Sequence, residues 1–259
     1  MLPGAFAQNL RSWVSSTGSD SNNCSRSAPC ATFQGALANT NSGGEIDVVD
    51  AGDYGAVVIS QSVTIDGGGM GRIASTAPGH NNFDLGDGIQ VTSGNVSLLN
   101  LSILPSSGAS RGVYVWFGAG SVSIRNVHIS GFPEGVTTDG PQTVVTDSLI
   151  EGVGTALFCR GTNCAFRNDS LIDNSGYGIK LADAATALID SCLITNSGVA
   201  LQSGTGFDSG GTAQLTNTTI TNNTVGMQAF GGGSIISFVN NRIYGNGTNG
   251  APTSSVFQK

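Results

Sequence analysis

Aromatic, charged and amide side chains recur in the middle of the chain at intervals of 21 to 26 residues. Each follows an apolar residue, as Phe158 follows Leu157 and Lys180 follows Ile179, and this alternation predicts that they point outward from one face of stacked strands. Sugar rings offer C–H faces to aromatic rings and hydroxyl groups to polar side chains. We therefore expect a sugar-binding strip with ligand contacts from Tyr114, Trp116, Phe158, Gln202 and Gln228. The alternative interpretation is that loops cover its aromatic residues.

Three charged residues of the same strip are candidates for catalysis: Asp139, Arg160 and Lys180. Hydrolysis of a glycosidic bond uses two carboxyl groups, about 5 Å apart in retaining enzymes and roughly 6.5–9.5 Å apart in inverting ones. Asp139 and Asp183 lie two repeats apart, which corresponds to about 10 Å if each repeat is one coil. β-Elimination would instead need a base such as Lys180 or Arg160.

β-Elimination also needs a group that neutralises the carboxylate of the uronate substrate. Calcium bound to a cluster of Asp residues often has this role. The strip contains no dense Asp cluster, so we expect no resident metal or cofactor, with calcium as the ion to test. On another face, Glu151 and Asp173 are expected to stack in adjacent repeats as a solvated pair.

Seven isoleucines mark the repeat that must position the strip. Their spacings are 26, 21, 22, 22, 26 and 23, and they are Ile103, Ile129, Ile150, Ile172, Ile194, Ile220 and Ile243. A small polar residue precedes each by three positions: Asn100, Asn126, Asp147, Asp169, Ser191, Asn217 and Asn240. A second bend column follows two positions after an isoleucine: Gly131, Gly152, Asn174, Asn196, Asn222 and Gly245.

A period near 22, with short apolar segments broken by Asn and Gly, is typical of a solenoid that forms one coil of strands per repeat. It predicts an all-β fold, a right-handed parallel β-helix of about ten coils over residues 46–250. Residues 8–45 should supply a strand, a disulfide loop and a short helix through Phe33, Ala36 and Leu37 that caps the first coil. Residues 251–259 form a tail.

The irregular stretch from Gly67 to Asp87 is expected to be a loop or irregular coil, and a plain insertion is favoured over the alternative that it carries binding groups. The first residues, 1–7, include Ala5-Phe6-Ala7, which matches the small-x-small end of a secretory signal. We interpret them as a remnant of a signal peptide or as an uninformative leader.

Charge and hydrophobicity argue against a nucleic-acid partner and against a membrane span. Only 10% of residues are charged and the net charge is −7, with no cluster of Lys and Arg, so a nucleic-acid partner is not expected. No run of 18 or more apolar residues is present, so no membrane span is expected.

The cysteines support export. Cys24 and Cys30 flank one tight loop, and Cys159 and Cys164 flank another, so either pair could close a small disulfide. Zinc binding is the alternative, but neither loop has a nearby His among the two in the chain, His80 and His128. Cys192 takes an inward position and is expected to be a buried thiol.

Three leucines raise the question of self-association. Leu149, Leu171 and Leu193 each precede a repeat isoleucine, so parity places them on an outward face. An aligned apolar strip marks an interface or lies under a chain segment. A second subunit and the tail residues Val256 and Phe257 are the alternative covers, and a bend at the preceding polar residue could instead turn the column inward.

The opening of the chain resembles a known family. The order SSTGSDSNN, SAPCATFQGAL, GGEIDVVDAGDYG and VTIDG is similar to that of bacterial exported proteins with right-handed parallel β-helix repeats, in the pectin-lyase-like superfamily. Gly52 and Tyr54 match the family's residues before the first long strand, and Cys24 and Cys30 fit one subgroup. The resemblance implies the fold and a glycan bound along an outward strand face.

The resemblance leaves activity open, because that superfamily includes lyases, hydrolases, esterases, phage tailspikes and adhesins. The paired-Asp signature of its polygalacturonase-like hydrolases and the signature of its pectate lyases are both missing from the chain. We therefore expect a secreted or periplasmic protein that binds a polysaccharide or cell-surface glycan, with lyase or hydrolase activity as an extension. The alternative is a non-catalytic surface or structural solenoid, such as an adhesin or envelope component.

Overall fold

The computed structural model describes residues 8–74, 86–106, 108–206 and 209–257. Within them the chain forms one helix and 26 strands, arranged in hydrogen-bonded sheets of 18 and 8 strands. Neighbouring strands are parallel, and each pairs with the strand one coil later in the sequence, as Val136 pairs with Leu157 and Leu157 with Ile179. The all-β parallel solenoid predicted from the repeat is therefore confirmed, with eight coils on the smaller sheet rather than about ten.

The solenoid has three faces. The eight-stranded sheet, called sheet 1, contains Val57–Ile59, Asp87–Val91, Arg111–Val115, Glu134–Thr138, Thr155–Arg160, Tyr177–Ala182, Val199–Ser203 and Val225–Ala229.

The larger sheet bends at a corner, and the arm before the corner is called sheet 2. Its strands are Asn9–Val14, Thr40–Val48, Val63–Ile73, Gly94–Ile103, Ala119–Arg125, Gln142–Thr146, Asn163–Arg167, Thr186–Asp190, Thr212–Thr216, Ser234–Phe238 and Ser254–Val256. The short strands after the corner form sheet 3: Gly52–Asp53, His128–Ser130, Leu149–Glu151, Ser170–Ile172, Leu193–Thr195, Thr219–Thr221 and Arg242–Tyr244.

Left-handed residues make the two corners that flank sheet 3. At the first corner φ lies between 50° and 59° at Asn100, Asn126, Asp147, Asn168, Ser191 and Asn217. At the second corner φ lies between 54° and 80° at Gly131, Gly152, Asp173, Asn196, Asn222 and Gly245. Asn and Asp tolerate this conformation because their short polar side chains hydrogen-bond locally. The Asn126 amide, for example, donates to Asn100 Oδ1 at 2.7 Å.

One repeat is one residue out of the predicted register. Leu171, not Ile172, pairs with Ile150 and Ile194 and is fully buried, while Ile172 lies on the outer side of its strand. The corner residues of this coil are accordingly Asn168 and Asp173, not Asp169 and Asn174. Two polar residues and two apolar residues stand side by side here, so the spacing alone did not distinguish the two registers.

The predicted leucine strip is wrong for the same reason. Leu171 belongs to the core, whereas Leu149 is half-buried and Leu193 is 36% exposed. The tail does not cover them either. Ser254–Val256 pairs with Ile236–Phe238 at the end of sheet 2, and Phe257 remains 77% exposed.

Valine, isoleucine and leucine from all three sheets fill the interior, and each fully buried side chain contributes roughly 1.5–3 kcal/mol to folding. A column of polar side chains also points inward just after the first corner. In it a backbone N–H donates to a side-chain oxygen one coil later, from Val127 to Ser148 Oγ and from Ser148 to Asp169 Oδ1 at 2.9 Å. Asp169 is 1% exposed, its Oδ2 is buried without a hydrogen-bond partner, and burial raises its pKa to about 7.

The first coil is capped as predicted. The helix Phe33–Ala38 begins after Thr32, whose hydroxyl accepts from Gly35 N at 2.9 Å, and it buries Phe33, Ala36 and Leu37. A disulfide joins Cys24 to Cys30 in the loop before it.

Part of the stretch expected to be a loop is strand, since Val63–Ile73 continues through a bulge between Asp66 and Gly71. His80 and residues 1–7 lie outside the described residues. Cys192 is a buried free thiol, as expected.

Candidate functional site

The predicted strip forms one row across the outer side of sheet 1. Register pairs connect six of its side chains in consecutive coils: Tyr114, Thr137, Phe158, Lys180, Gln202 and Gln228. The structure extends the row by one coil, to Gln90. Each alternates with a buried apolar residue, such as Leu157 before Phe158, because successive side chains of a strand point to opposite faces. The alternation in the sequence therefore correctly predicted that the side chains from Tyr114 to Gln228 lie on one outer face.

Parts of this row are covered rather than open. Tyr114 is 3% exposed, Thr137 is 1% exposed and Gln202 is 5% exposed. The Arg111 guanidinium lies over the Tyr114 ring, with its Cζ 3.7 Å from the ring centroid, and Gln202 accepts a hydrogen bond from the amide of Gln228. Tyr114 and Gln202 thus pack as structural parts of the face, while Trp116, Phe158 and Gln228 remain partly accessible.

A buried ion pair lies at one end of the row. Arg111 Nε is 2.7 Å from Asp87 Oδ1, and the two side chains are 9% and 0% exposed. Gln90 donates to the other oxygen of Asp87 at 3.1 Å. A buried charge pair of this kind is tolerated when hydrogen bonds satisfy both partners, and here it anchors the cation that covers Tyr114.

Next along the face, Asp139 receives two hydrogen bonds on one oxygen. Tyr114 Oη donates to Asp139 Oδ2 at 2.8 Å, and Arg160 Nη2 donates to the same atom at 2.8 Å. Arg160 Nε also lies 2.7 Å from Asp139 Oδ1, although it is not aligned there for a hydrogen bond. Burial, reinforced by the bond to Asp139, raises the pKa of Tyr114, so Tyr114 acts as a donor.

Lys180 has a different environment. Its Nζ lies 4.8 Å from the centroid of the Phe158 ring and 5.1 Å from that of Tyr177. No carboxylate among the described residues lies within ion-pair distance of Lys180, which distinguishes it from Arg160 and Arg111. The ammonium group is therefore half-buried between two rings, and none of the described carboxylates neutralises its charge.

Beside this row is an open cleft of about 350 Å3 lined by Phe117, Asp139, Arg160, Gly161 and Asp183. It contains both Asp139 and Asp183, the two carboxylates that lie two repeats apart in the sequence. Phe117 is 69% exposed and stacks on Trp116, with 4.7 Å between ring centroids.

Two aromatic residues of this region, Phe117 and Tyr177, were not predicted from the sequence. Phe117 could have been found as the second of two adjacent aromatics in VWFG. Tyr177 was missed because Gly178 and Ile179 are consecutive and both buried, which interrupts the strict alternation of inward and outward residues.

The second predicted disulfide is also present, between Cys159 and Cys164. Cys159 lies between Phe158 and Arg160 in the strand and is fully buried, and Cys164 belongs to the next strand of the same coil. The bond therefore ties the strand that carries two site residues to sheet 2.

Two acidic groupings elsewhere are accounted for by their neighbours. Glu45, Asp47 and Asp66 place carboxylate oxygens within 4.8 Å of one another, but Arg11 forms ion pairs with Glu45 and Asp47. Glu151 does not pair with Asp173 as expected; it lies beside Ile172 and contacts His128 Nε2 at 2.9 Å. Among the described residues, no helix has the length and apolar character needed to cross a membrane.

A stack of parallel coils with polar and aromatic side chains along one outer sheet defines a β-solenoid. The chain belongs to the family of proteins with a right-handed β-helix region, whose family model matches residues 34–186 and 155–258. No curated protein sequence matches the chain closely enough to count as a relative.

Solved structures share the fold. The pectate lyase Pel9A is similar with a TM-score of 0.66 and 17% identity, over 98% of this chain and 75% of that one. The pectin methylesterase PemA from Erwinia chrysanthemi has a TM-score of 0.63 and 14% identity, over 98% of this chain and 94% of that one. A pectin methylesterase from Aspergillus niger has a TM-score of 0.54 and 12% identity, over 84% of this chain and 83% of that one. At these identities the likeness shows the fold alone.

Proposed function

We propose that this protein binds an acidic polysaccharide along the outer side of sheet 1. The observation that carries the proposal is the position of Lys180 between the rings of Phe158 and Tyr177. A pyranose ring can pack its C–H face on an aromatic side chain while the ammonium group pairs with a carboxylate on that sugar. The likeness in fold to proteins that act on pectin is consistent with this choice of ligand class.

The neighbouring cleft extends the contact along the solenoid. Phe117 offers an exposed ring, and the Asp139–Arg160 pair offers both acceptors and donors to hydroxyl groups. Consecutive coils are about 4.8 Å apart, so side chains two or three coils from Lys180 are roughly 10–14 Å away, a distance that a chain of several sugar units spans but a single sugar does not. A chain laid across sheet 1 would contact Lys180 and this cleft together.

Binding is favoured over catalysis because Asp139 and Arg160 neutralise each other. The candidate catalytic residues remain Lys180, Arg160 and Asp139. Asp183 in the same cleft would supply the second carboxyl group for hydrolysis. Two disulfides support a secreted or periplasmic location, since such bonds persist in oxidising compartments.

Binding of the purified protein to polygalacturonate, alginate and neutral polysaccharides tests the proposal. Lys180→Gln should weaken binding to an acidic polysaccharide about tenfold, which corresponds to roughly 1.4 kcal/mol. Arg125→Gln is the matched control, because Arg125 is exposed on sheet 2. If no polysaccharide binds, or if Lys180→Gln binds as well as the parent, the proposal fails and a structural solenoid becomes the better description.

Activity is measured on the same polysaccharides. Release of an unsaturated product that absorbs in the ultraviolet would show β-elimination, and new reducing ends without that absorbance would show hydrolysis. Asp183→Asn should abolish only the second of these. Binding without either product would leave the protein a non-catalytic binder.

A further inference from the structure

A second cleft lies at the N-terminal end of sheet 2, where the strand Asn9–Val14 pairs with Thr40–Val48. It has a volume of about 280 Å3 and is lined by Arg11, Trp13, Arg26, Asp47, Val48 and Val49. Trp13 and Asp47 are register partners on sheet 2, and Arg26 comes from the loop closed by the Cys24–Cys30 disulfide. Ligand sites typically measure about 300–1,000 Å3, so this cleft is suited to one small ring rather than to a long chain.

Three polar groups in this cleft have unused capacity. The indole N–H of Trp13 and the guanidinium of Arg26 make no hydrogen bond or ion pair with the described residues. Arg11 binds Asp47 through Oδ2, which leaves Asp47 Oδ1 to accept a further hydrogen bond. The Arg11 guanidinium also lies 5.6 Å from the centroid of the Trp13 ring. Arg11 therefore has partners among the described residues, whereas the guanidinium of Arg26 has none there.

The arrangement is rigid before any ligand arrives. Trp13 N donates to Cys24 O at 2.8 Å and Cys30 N donates to Trp13 O at 2.9 Å, so the disulfide loop is attached to the strand of Trp13 on both sides. Within the loop, Ala28 N donates to Ser25 O, a tight turn that holds Arg26 at its tip. Preorganisation of this kind lowers the entropy cost of binding.

The chemistry of these groups specifies the ligand. An aromatic ring packs on the C–H face of a sugar, a guanidinium pairs with a carboxylate, and a carboxylate accepts from sugar hydroxyl groups. We propose that this cleft binds a single sugar acid, with its carboxylate on Arg26, its ring on Trp13 and a hydroxyl group on Asp47. The site does not depend on the strip of sheet 1, and each region has its own tryptophan, Trp13 here and Trp116 there.

The two tryptophans allow a direct test. In a Trp116→Phe background the emission reports on Trp13 alone, and titration with glucuronic acid should produce a saturable change that glucose does not. Arg26→Gln should weaken this binding at least fivefold, whereas the control Arg125→Gln should not change it. Arg26 is exposed, so its substitution should leave the melting temperature unchanged.

Calorimetric titration of the otherwise unaltered protein and of Arg26→Gln gives the same comparison if Trp116→Phe folds poorly. Absence of saturable binding of glucuronic acid in both measurements would overturn the proposal. Equal affinity in Arg26→Gln, or equal response to glucose, would also overturn it. Loss of polysaccharide binding on sheet 1 would not overturn the proposal, because the emission of Trp13 reports on this cleft alone.

Discussion

Arg160 reaches back one coil to Asp139, with 2.8 Å between Nη2 and Oδ2, and Tyr114 donates to that same oxygen from the opposite direction. The Asp139 carboxylate is thus held at the edge of the cleft by residues from the coils before and after it. The exposed fractions of the Arg160 and Asp139 side chains, 35% and 23%, contrast with 9% and 0% for Arg111 and Asp87. One face therefore carries a solvated ion pair and a buried one.

This contrast predicts different stability losses for two arginines. Arg111→Met should lower the free energy of unfolding by about 3–5 kcal/mol, because it leaves the Asp87 carboxylate buried without its cation. Arg160→Met should lower it by about 1 kcal/mol, since water can solvate Asp139. Urea denaturation of both variants measures the difference, and equal losses would contradict the distinction between the two pairs.

Asp169 predicts a dependence of stability on pH. Burial raises its pKa to about 7 in the folded chain, above the value of about 3.9 in an unfolded one. Between these values the folded state binds more protons, so stability should fall as pH rises from about 4 to about 7 and then level off. Asp169→Asn should remove that part of the slope and be more stable than the parent at pH 8.

An amide suits this position, because in the same inward column Asn241 accepts from Thr218 N and donates to Leu215 O. Asp173→Asn is the control, since Asp173 is exposed at a corner where other coils have Asn. Parallel stability curves for Asp169→Asn and the parent between pH 4 and 8 would show that Asp169 does not carry the effect.

Leu171, which is buried, and Leu193, which is partly exposed, should respond differently to replacement by alanine. Leu171→Ala should cost about 2–5 kcal/mol, the range for a core leucine, while Leu193→Ala should cost less than about 1 kcal/mol. Thermal denaturation distinguishes them, and a loss for Leu171→Ala as small as that for Leu193→Ala would instead favour the register in which Ile172 is buried. Light scattering of the parent and Leu193→Glu should give the same mass if these leucines form no interface.

The Cys159–Cys164 disulfide should matter for both stability and the site. Replacing both cysteines with alanine should lower stability by about 2 kcal/mol, as expected for a short closed loop. The strand carrying Phe158 and Arg160 should then bind polysaccharide more weakly. The matched Cys24→Ala, Cys30→Ala variant should lose stability without changing binding on sheet 1. Equal effects on that binding would argue against a local role for the Cys159–Cys164 bond.

Periodic features of the chain were readable because they are redundant. The solenoid, its corners and the row from Tyr114 to Gln228 each rest on several coils with the same pattern, so an error in one coil does not change the prediction. The capping helix at Phe33 and both disulfides rest on short local spacings. Alternation along a strand then assigned Lys180 and Phe158 to the outer face.

Features that depend on a single coil or on neighbouring coils were decided only by tertiary structure. The register at Leu171 follows from hydrogen bonds between coils, such as Ser148 N to Asp169 Oδ1, which no local pattern contains. The burial of Tyr114 follows from Arg111, which Asp87 holds from an earlier coil. Outward direction is a property of one strand, but exposure depends on which long side chains from adjacent coils lie across it, and those contacts exist only after the coils have stacked.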